Sequence, residues 1–400
     1  MLNTNPRIHT TGYHARPKPA DSLRLDSGYK IIHESGGTIS NALAEQWAEL
    51  AHRIARPVFI HDVNWFKAQL SSRRSIAKSC HIFALSYEDK LIAIFPLQYT
   101  VTRRFGLPFR TWRIFWPNDM GINDFIIPAP FDTHNYLQLL MAQLNSQVQT
   151  YPWDLLELEN VMETATVSEV INCHPLSRCI SVYHHDSKYL SCASSYDSSV
   201  ADISGKFKSN NRRKRRKLEK LGTVTTSYHS NADELAVAFE QFLEVEAANW
   251  KGREGTALRC DTEQCCFYWA LLDEYTATGR SVIHTLNLNG TPIAAQLALI
   301  SGDTFYLLKI GYDAEYRTMG PGGLLLEETI KRFSGDARIR RISFVTGAKW
   351  NDDWAPHVDK VYNHYIYNAT ARGLFFWPAE KIKSALRQIR RKYFSKESQP

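Results

Sequence analysis

Three apolar segments in the second half of the chain follow one another with short turns between them. Residues 281–288, 293–300 and 304–310 are rich in β-branched, leucine and aromatic side chains, a composition typical of buried strands. An Asn-Gly pair at 289–290 separates the first two segments, and a Ser-Gly-Asp turn at 301–303 separates the second from the third. Asn-Gly between apolar runs is a signal for a β-hairpin. We therefore predict three consecutive antiparallel strands.

The third predicted strand leads into a glycine-rich loop, Arg-Thr-Met-Gly-Pro-Gly-Gly at 317–323, and residues 324–330 then predict a helix. A strand, a glycine-rich turn and a helix in this order direct backbone N–H groups and the positive end of the helix dipole at one point. Such a point favours an anion such as a pyrophosphate. An ordinary Gly/Pro turn is the alternative. Residues 338–344 and 361–367 predict two further strands.

The first half of the chain repeats this order of elements. Its pattern predicts a helix at 40–55, strands at 81–86, 91–97, 110–116 and 153–158, and a helix at 133–148. The corresponding loop, Trp-Pro-Asn-Asp-Met-Gly at 116–121, lacks the Arg-x-x-Gly-x-Gly pattern. We therefore predict an α/β protein with two similar halves, in which the second half has the anion site and the first shapes the acceptor cleft.

This order and this loop resemble the GNAT acyltransferase superfamily, in which an Arg/Gln-x-x-Gly-x-Gly/Ala loop wraps the pyrophosphate of acyl-CoA. The chain is most similar to the FemAB-like branch that includes acetyltransferases of cellulose or exopolysaccharide biosynthesis in bacteria. The resemblance covers about residues 40–378. It is carried by the segments 218–222, 249–257, 311–316, 317–323 and 347–350.

The resemblance implies tandem GNAT-like domains, each a mixed, largely antiparallel sheet flanked by helices. We expect a degenerate N-terminal domain at 39–200 and an acyl-CoA domain at 201–378. Residues 1–38 are polar with Pro and Gly, and predict a mobile leader. Residues 379–400 predict a basic C-terminal helix and tail, which either covers the sheet edge or contacts an anionic membrane.

The resemblance also assigns the donor site. Acyl-CoA, with acetyl-CoA the first choice, is the implied donor substrate, and no metal is expected. Backbone N–H groups of residues 307–310 would lie beside the reacting carbonyl carbon. The implied cofactor-binding residues are Ile310, Arg317, Met319, Gly320, Pro321, Gly322 and Gly323.

Acyl transfer needs a proton donor for the leaving thiolate and a base for the acceptor. Tyr312, just past the third strand, is the candidate donor, with a packed aromatic as the alternative. Asp313 or Glu246 is the candidate base, although charged residues near a turn are usually only solvated. Lys349 is a candidate for stabilising the tetrahedral intermediate or binding an acceptor anion. The family often has an aromatic residue before this lysine, whereas here Ala348 precedes it.

Four residues are predicted to bind the acceptor. Trp250 and Lys251 follow an amphipathic helix, where a tryptophan can stack on a sugar or cap the helix core. Gln296 is polar on an otherwise apolar strand, so it needs a specific partner, either structural or substrate. Trp350 belongs to a segment that mixes aromatic and acidic residues, a composition that suits a sugar-facing loop.

A dense basic segment separates the two halves, with Lys or Arg at nine of the fifteen positions 206–220. It predicts either a solvated helix face or a clamp for a phosphate, an anionic membrane surface or a tRNA backbone. The formal net charge of +7 agrees with anionic ligands. Seven scattered cysteines without a CxxC motif, and no apolar run of membrane-spanning length, predict a reduced, cytoplasmic protein, with the inner membrane surface as a further candidate location.

Three functions remain open at this point. The first is acyl transfer from acyl-CoA to an amine or hydroxyl of a saccharide or other small acceptor in cell-envelope or exopolysaccharide metabolism. The second is a FemAB-type transferase that uses aminoacyl-tRNA, the single case in which we expect nucleic acid as a partner. The third is a non-catalytic GNAT-like scaffold. The intact Arg317 loop favours the first, because a tRNA donor has no pyrophosphate to occupy it.

Overall fold

The computed structural model describes residues 23–24, 28–104, 106–115, 121–128, 133–173, 176–249 and 254–394. Within these residues thirteen strands form one sheet. The strands are β1 Leu23–Arg24, β2 Tyr29–Ser35, β3 Cys80–Tyr87, β4 Lys90–Arg104, β5 Leu107–Ile114, β6 Leu155–Met162, β7 Cys179–Ser191, β8 Val224–His229, β9 Ser281–Leu288, β10 Thr291–Ser301, β11 Thr304–Tyr312, β12 Arg341–Ser343 and β13 His357–Tyr367.

Helices cover both faces of this sheet. They are α1 Asn41–His52, α2 Val63–Ser72, α3 Arg74–Ala77, α4 Thr133–Ser146, α5 Thr166–Cys173, α6 Tyr196–Ser199, α7 Gly205–Glu219, α8 Ala232–Ala247, α9 Thr262–Thr276, α10 Pro321–Phe333 and α11 Ala371–Phe394. Short 3-10 helices lie at Phe59–His61, Leu258–Cys260, Ala314–Met319 and Lys349–Trp354. The predicted α/β class, with a large and largely antiparallel sheet flanked by helices, is confirmed.

The order of strands across the sheet is β1-β2-β3-β4-β5-β6-β13-β7-β12-β11-β10-β9-β8. Each half contains an antiparallel meander followed, after a helix, by one parallel strand: β6 beside β5 and β12 beside β11. The last strand of each half pairs with the other half, because β7 pairs with β12 and β13 pairs with β6. The two halves therefore form one continuous sheet, joined through the long antiparallel pair of β7 and β13.

The core of the second half lies on both faces of β10 and β11. On one face α8 and α9 pack against Leu297, Leu299 and Tyr306. On the other face α10 packs against Ala298, Phe305 and Leu307. Strands β10 and β11 are thus buried on both sides, which explains why their sequences are almost continuously apolar.

Several boundaries differ from those predicted. Residues 29–35, placed in the leader, form β2 and pair with β3, so the sheet begins before residue 39. The strand predicted at 338–344 is only the three residues of β12. The C-terminal helix begins at Ala371 instead of 379 and continues through Pro378. Strands β7 and β8 were not predicted, because their half-buried residues lack a strong apolar alternation. Most of the loop at 116–121 lies outside the described residues.

Candidate functional site

The predicted anion loop, residues 317–323, starts within the 3-10 helix Ala314–Met319 and continues into the first turn of α10. Between these two helices Gly320 has the left-handed conformation (φ 58°, ψ 51°). Only glycine adopts this conformation without a steric penalty. Pro321 is the first residue of α10, where its missing N–H costs nothing and its fixed φ suits the helix. The Gly323 N–H already donates to the Gly320 carbonyl at 3.0 Å, so the first turn of α10 presents the Gly322 N–H and the positive end of a thirteen-residue helix at this loop.

Lys214 of the basic helix α7 lies directly beside this loop. A Cβ added at Gly320 would lie 3.0 Å from the Lys214 Nζ atom. Helix α7 is fixed there by Leu218, which is fully buried against Leu324 and Leu325 of α10. Arg215 adds an ion pair to Glu328, with 2.6 Å between nitrogen and oxygen. The structure thus brings a lysine charge to the helix N-terminus, which strengthens an anion site.

Tyr312 also lies next to the loop. A Cβ added at Gly322 would be 3.8 Å from the Tyr312 ring, whereas one added at Gly323 would have no neighbour within 4 Å. Tyr312 and Met319 are half-buried and pack on the cluster that contains Leu218 and Leu324. The predicted proton donor and the predicted anion loop are therefore adjacent.

Asp313 and Arg317 have different surroundings within the loop. The Asp313 carboxylate accepts a hydrogen bond from the Glu315 N–H at 2.9 Å and so caps the 3-10 helix. This capping role gives Asp313 a structural function that is independent of the catalytic role predicted for it. Arg317 is exposed, so its guanidinium is accessible to a ligand at the loop.

Strand β11 separates from β12 just before the loop. Their parallel pairing is confined to Thr304–Tyr306 on β11, although β11 continues to Tyr312. On its other edge β11 pairs with β10 as far as Tyr312, with a bulge at Leu308. Beyond Tyr306, β11 therefore no longer pairs with β12. Residues 307–310, which the resemblance places beside the reacting carbonyl carbon, lie on this stretch of β11.

Glu246 approaches this strand from α8. A Cβ added at Gly311 would lie 2.7 Å from the Glu246 Cα, so only glycine permits this contact between helix and strand. The Glu246 side chain is 1% exposed, and its carboxylate accepts a hydrogen bond from the Leu258 N–H at 2.8 Å. Burial, with the nearby Glu246 charge, raises the pKa of Tyr268. A buried carboxylate thus lies beside the β11 strand.

Gln296 lies in the core. It is 2% exposed, and its carbonyl oxygen accepts a hydrogen bond from the Thr329 hydroxyl at 2.8 Å. The same hydroxyl lies 3.0 Å from Nδ1 of His284, whose pKa burial lowers to about 4. Gln296 therefore has the structural partner that sequence reasoning offered as one of its two alternatives.

Lys349 and Trp350 lie at the start of the 3-10 helix Lys349–Trp354, and both are exposed. The Trp350 ring packs edge-on against Phe344, with 5.5 Å between ring centroids. Lys188 of β7 fixes this segment, because its ammonium donates to the Gly347 carbonyl at 3.1 Å and also bonds to Asp352. Trp250 and Lys251 lie outside the described residues, so their predicted role stays a prediction.

Sequence reasoning missed the positions of two lysines. The basic run around Lys214 was recognised as an anion signal but was not assigned to the loop. Leu218, an apolar residue in a basic helix, was the available signal that α7 packs on another element. Lys188 gave no signal, because it lies on a strand that the apolar pattern did not reveal.

A comparison with family models bears directly on this region. Residues 205–354 match the model described as an acetyltransferase (GNAT) domain. The matched segment starts at α7 and includes the splayed strand β11, the loop and α10. This segment is thus similar to a GNAT acetyltransferase domain. The basic helix, which we described as a link between halves, is thus the first element of the GNAT match.

Solved structures agree on the fold outside this segment. The match with a structure of FemX covers 83% of this chain and 96% of the FemX chain, with a TM-score of 0.55 and 10% identity. A conserved protein of unknown function from Bacteroides thetaiotaomicron covers 82% and 98%, with a TM-score of 0.50 and 11% identity. Likenesses at this level of identity concern the fold alone and not the reaction. No curated protein matches the chain.

The described residues bear on two possible partners, a metal ion and a lipid bilayer. In that part of the chain, no cluster of three or more His, Cys, Asp or Glu side chains is arranged to bind a metal ion. None of the described helices combines the length and the apolar character needed to cross a bilayer.

Proposed function

We propose that this protein transfers an acyl group from acyl-CoA, with acetyl-CoA the favoured donor, to an amine or hydroxyl of a cell-envelope or exopolysaccharide acceptor. The observation that carries the proposal is the position of Lys214 beside Gly320 at the N-terminus of α10. The Gly322 N–H, the helix dipole and one lysine charge meet there, which suits the pyrophosphate of CoA. Arg317, exposed in the same loop, supplies a second positive charge.

The splayed edge of β11 supports the next step. With the pyrophosphate at the loop, the pantetheine arm would run along β11 beyond Tyr306, where β12 no longer pairs with it. Backbone N–H groups of Leu307 and Leu308 would donate to the thioester carbonyl oxygen. Such donors stabilise the negative charge that forms on that oxygen in the tetrahedral intermediate.

The remaining roles concern protons and the acceptor. The acceptor nitrogen or oxygen attacks the carbonyl carbon, the bond from carbon to sulfur breaks, and the thiolate takes a proton from Tyr312. Glu246 or Asp313 takes the proton that the acceptor loses. Lys349, exposed at the start of its 3-10 helix, would bind a negative group of the acceptor, and Trp350 beside it would contact a sugar ring.

Isothermal titration with acetyl-CoA and CoA tests this proposal. The Arg317→Ala, Gly322→Val double variant removes a cation and obstructs the first turn of α10, so we expect it to lose binding. Arg338→Ala is the matched control, because Arg338 is an exposed arginine beyond the opposite end of α10. Failure of the wild-type protein to bind either ligand would refute the acyl-CoA reaction.

The exposed cations of α7 favour one second candidate, a transferase that uses aminoacyl-tRNA. In addition to Lys214 at the loop, α7 has four exposed cations that suit a phosphate backbone: Arg212, Arg213, Arg216 and Lys217. Binding of charged tRNA in gel-shift experiments, without binding of CoA in titration, would favour this candidate over acyl-CoA.

A further inference from the structure

Helix α11 packs on the first half of the sheet through one of its faces. The Phe376 ring lies edge-on to Phe109, with 5.1 Å between ring centroids. Trp377 packs on the same small cluster, which also contains Leu155 and Tyr367. Further along the helix Ser384 is only 5% exposed. This face holds the helix against β5, β6 and β13.

The opposite face of α11 exposes large apolar side chains. Phe375 is 71% exposed, Ile382 63%, Leu386 60% and Leu374 48%. At 100° per residue these four positions lie within an arc of about 120°. An apolar arc of this width normally faces a protein core. Here it faces away from the core of its own chain.

Basic residues border this apolar arc. Arg372 and Lys383 fall on one side of it by helical position, and Lys381 falls on the other, with its ammonium 5.4 Å from the Trp377 ring. Over the whole helix the sequence has seven Lys or Arg residues and one acid, Glu380. That acid lies 3.6 Å from Lys383 and is itself mostly buried. The exposed side of α11 is therefore apolar in the centre and positive at the rim.

The end of the β4–β5 hairpin extends this surface. Arg104 lies with its guanidinium carbon 4.2 Å above the Phe109 ring and 5.9 Å above the Phe376 ring, which places the hairpin end against α11. Leu107 at this end shares a face of the hairpin with Arg104 and Phe109 and is 54% exposed. The hairpin thus adds one further exposed apolar side chain and an arginine beside the helix.

We propose that the exposed face of α11, together with the end of the β4–β5 hairpin, docks on a membrane surface of anionic phospholipid. A helix with an apolar centre and a basic rim lies in the plane of such a surface, with its apolar side chains among the acyl chains and its cations at the headgroups. A second copy of this chain suits the face less well, because symmetric pairing would bring the basic rims together. The protein would then lie on the membrane without crossing it.

Sedimentation with vesicles tests the proposal on the full-length protein. One vesicle preparation contains phosphatidylcholine alone, and the other contains phosphatidylcholine with phosphatidylglycerol. We expect binding to the second, weakened by salt, and little binding to the first. The Phe375→Gln, Ile382→Gln, Leu386→Gln variant should bind at least about tenfold more weakly, because it loses its apolar contacts with lipid. The Lys381→Glu, Lys383→Glu double variant should weaken binding by a similar factor, because its carboxylates are repelled by the anionic headgroups.

The matched control replaces three exposed apolar residues outside this surface, Val148→Gln, Leu221→Gln and Val237→Gln, and should keep wild-type binding. Circular dichroism would show that each variant is folded. Three results would overturn the proposal: no binding of wild type to anionic vesicles, equal binding by the apolar triple variant, or a wild-type dimer that this variant converts to a monomer without any lipid binding. The last result would assign the face to a second copy of the chain.

Discussion

Gly311 of β11 lies against Glu246 of α8 so closely that a Cβ on the glycine would be 2.7 Å from the Glu246 Cα. Gly311→Ala therefore has to push the helix away from the strand, and α8 carries the core residues Phe239 and Phe242. Overpacking of this kind costs about 1–3 kcal/mol of unfolding free energy. Denaturant unfolding followed by circular dichroism measures it. Gly205→Ala is the control, because a Cβ there has no neighbour within 4 Å. Equal stability of the two variants would contradict the contact.

The charge at the anion loop predicts a selective effect of Lys214. Lys214→Ala should weaken CoA binding by about 10- to 100-fold, since a hydrogen bond to a charged group contributes about 1.5–3 kcal/mol. Arg216→Ala removes a charge from the same helix about 200° around its axis, so it should change the affinity far less. Titration calorimetry at two salt concentrations measures both variants. Equal losses in the two would mean that only the overall charge of α7 matters.

The buried network of Gln296, Thr329 and His284 predicts a loss of stability on removal of one hydroxyl. Thr329→Val keeps the shape of the side chain but leaves the Gln296 carbonyl oxygen without its donor. An unsatisfied buried polar group costs about 1–3 kcal/mol. Thr329→Ser retains the hydroxyl and should cost less than the valine variant. Thermal unfolding of the two variants measures the difference, and a fully stable valine variant would show that the bond is dispensable.

His364 predicts a pH dependence of stability. Its ring nitrogens lie 3.0 Å from the Ser168 hydroxyl and 2.8 Å from the Ser181 hydroxyl, and burial lowers its pKa from 6.5 to about 4. Above pH 6.5 the ring is neutral in both states. As the pH falls from 6.5 to 4, the unfolded chain binds a proton that the folded chain does not. The free energy of unfolding therefore decreases by about 3 kcal/mol.

His364→Gln should make the unfolding free energy less dependent on pH in this window. Urea unfolding at a series of pH values between 7 and 4 measures the slope. Part of the slope will persist, because burial also lowers the pKa of His81 to about 3 and of His284 to about 4. His52→Gln, a change at an exposed histidine, is the comparison, and an identical slope in both variants would refute the assignment to His364.

The strands that carry the site could be predicted from the sequence because β9 and β10 are buried along nearly their whole length, the first four residues of β11 are buried, and clear turn signals separate the three strands. The glycine loop could be predicted for the same local reason. The pairing of β13 with β6 could not, since it joins residues about two hundred positions apart and depends on the strand order of the whole sheet. The contact of Lys214 with the loop depends likewise on how α7 packs. The dense charge of α7 does not indicate which face of the helix packs on the rest of the protein.

The exchange of final strands between the halves has a consequence for the history of this chain. The half that contains the GNAT match has β7 as the neighbour of β12, although β7 belongs by sequence to the first half. That half in turn owes a strand to its partner. Neither could be discarded after a duplication without exposing a strand edge on the other. Each half therefore needs the other to complete its sheet, whatever ligand either half binds.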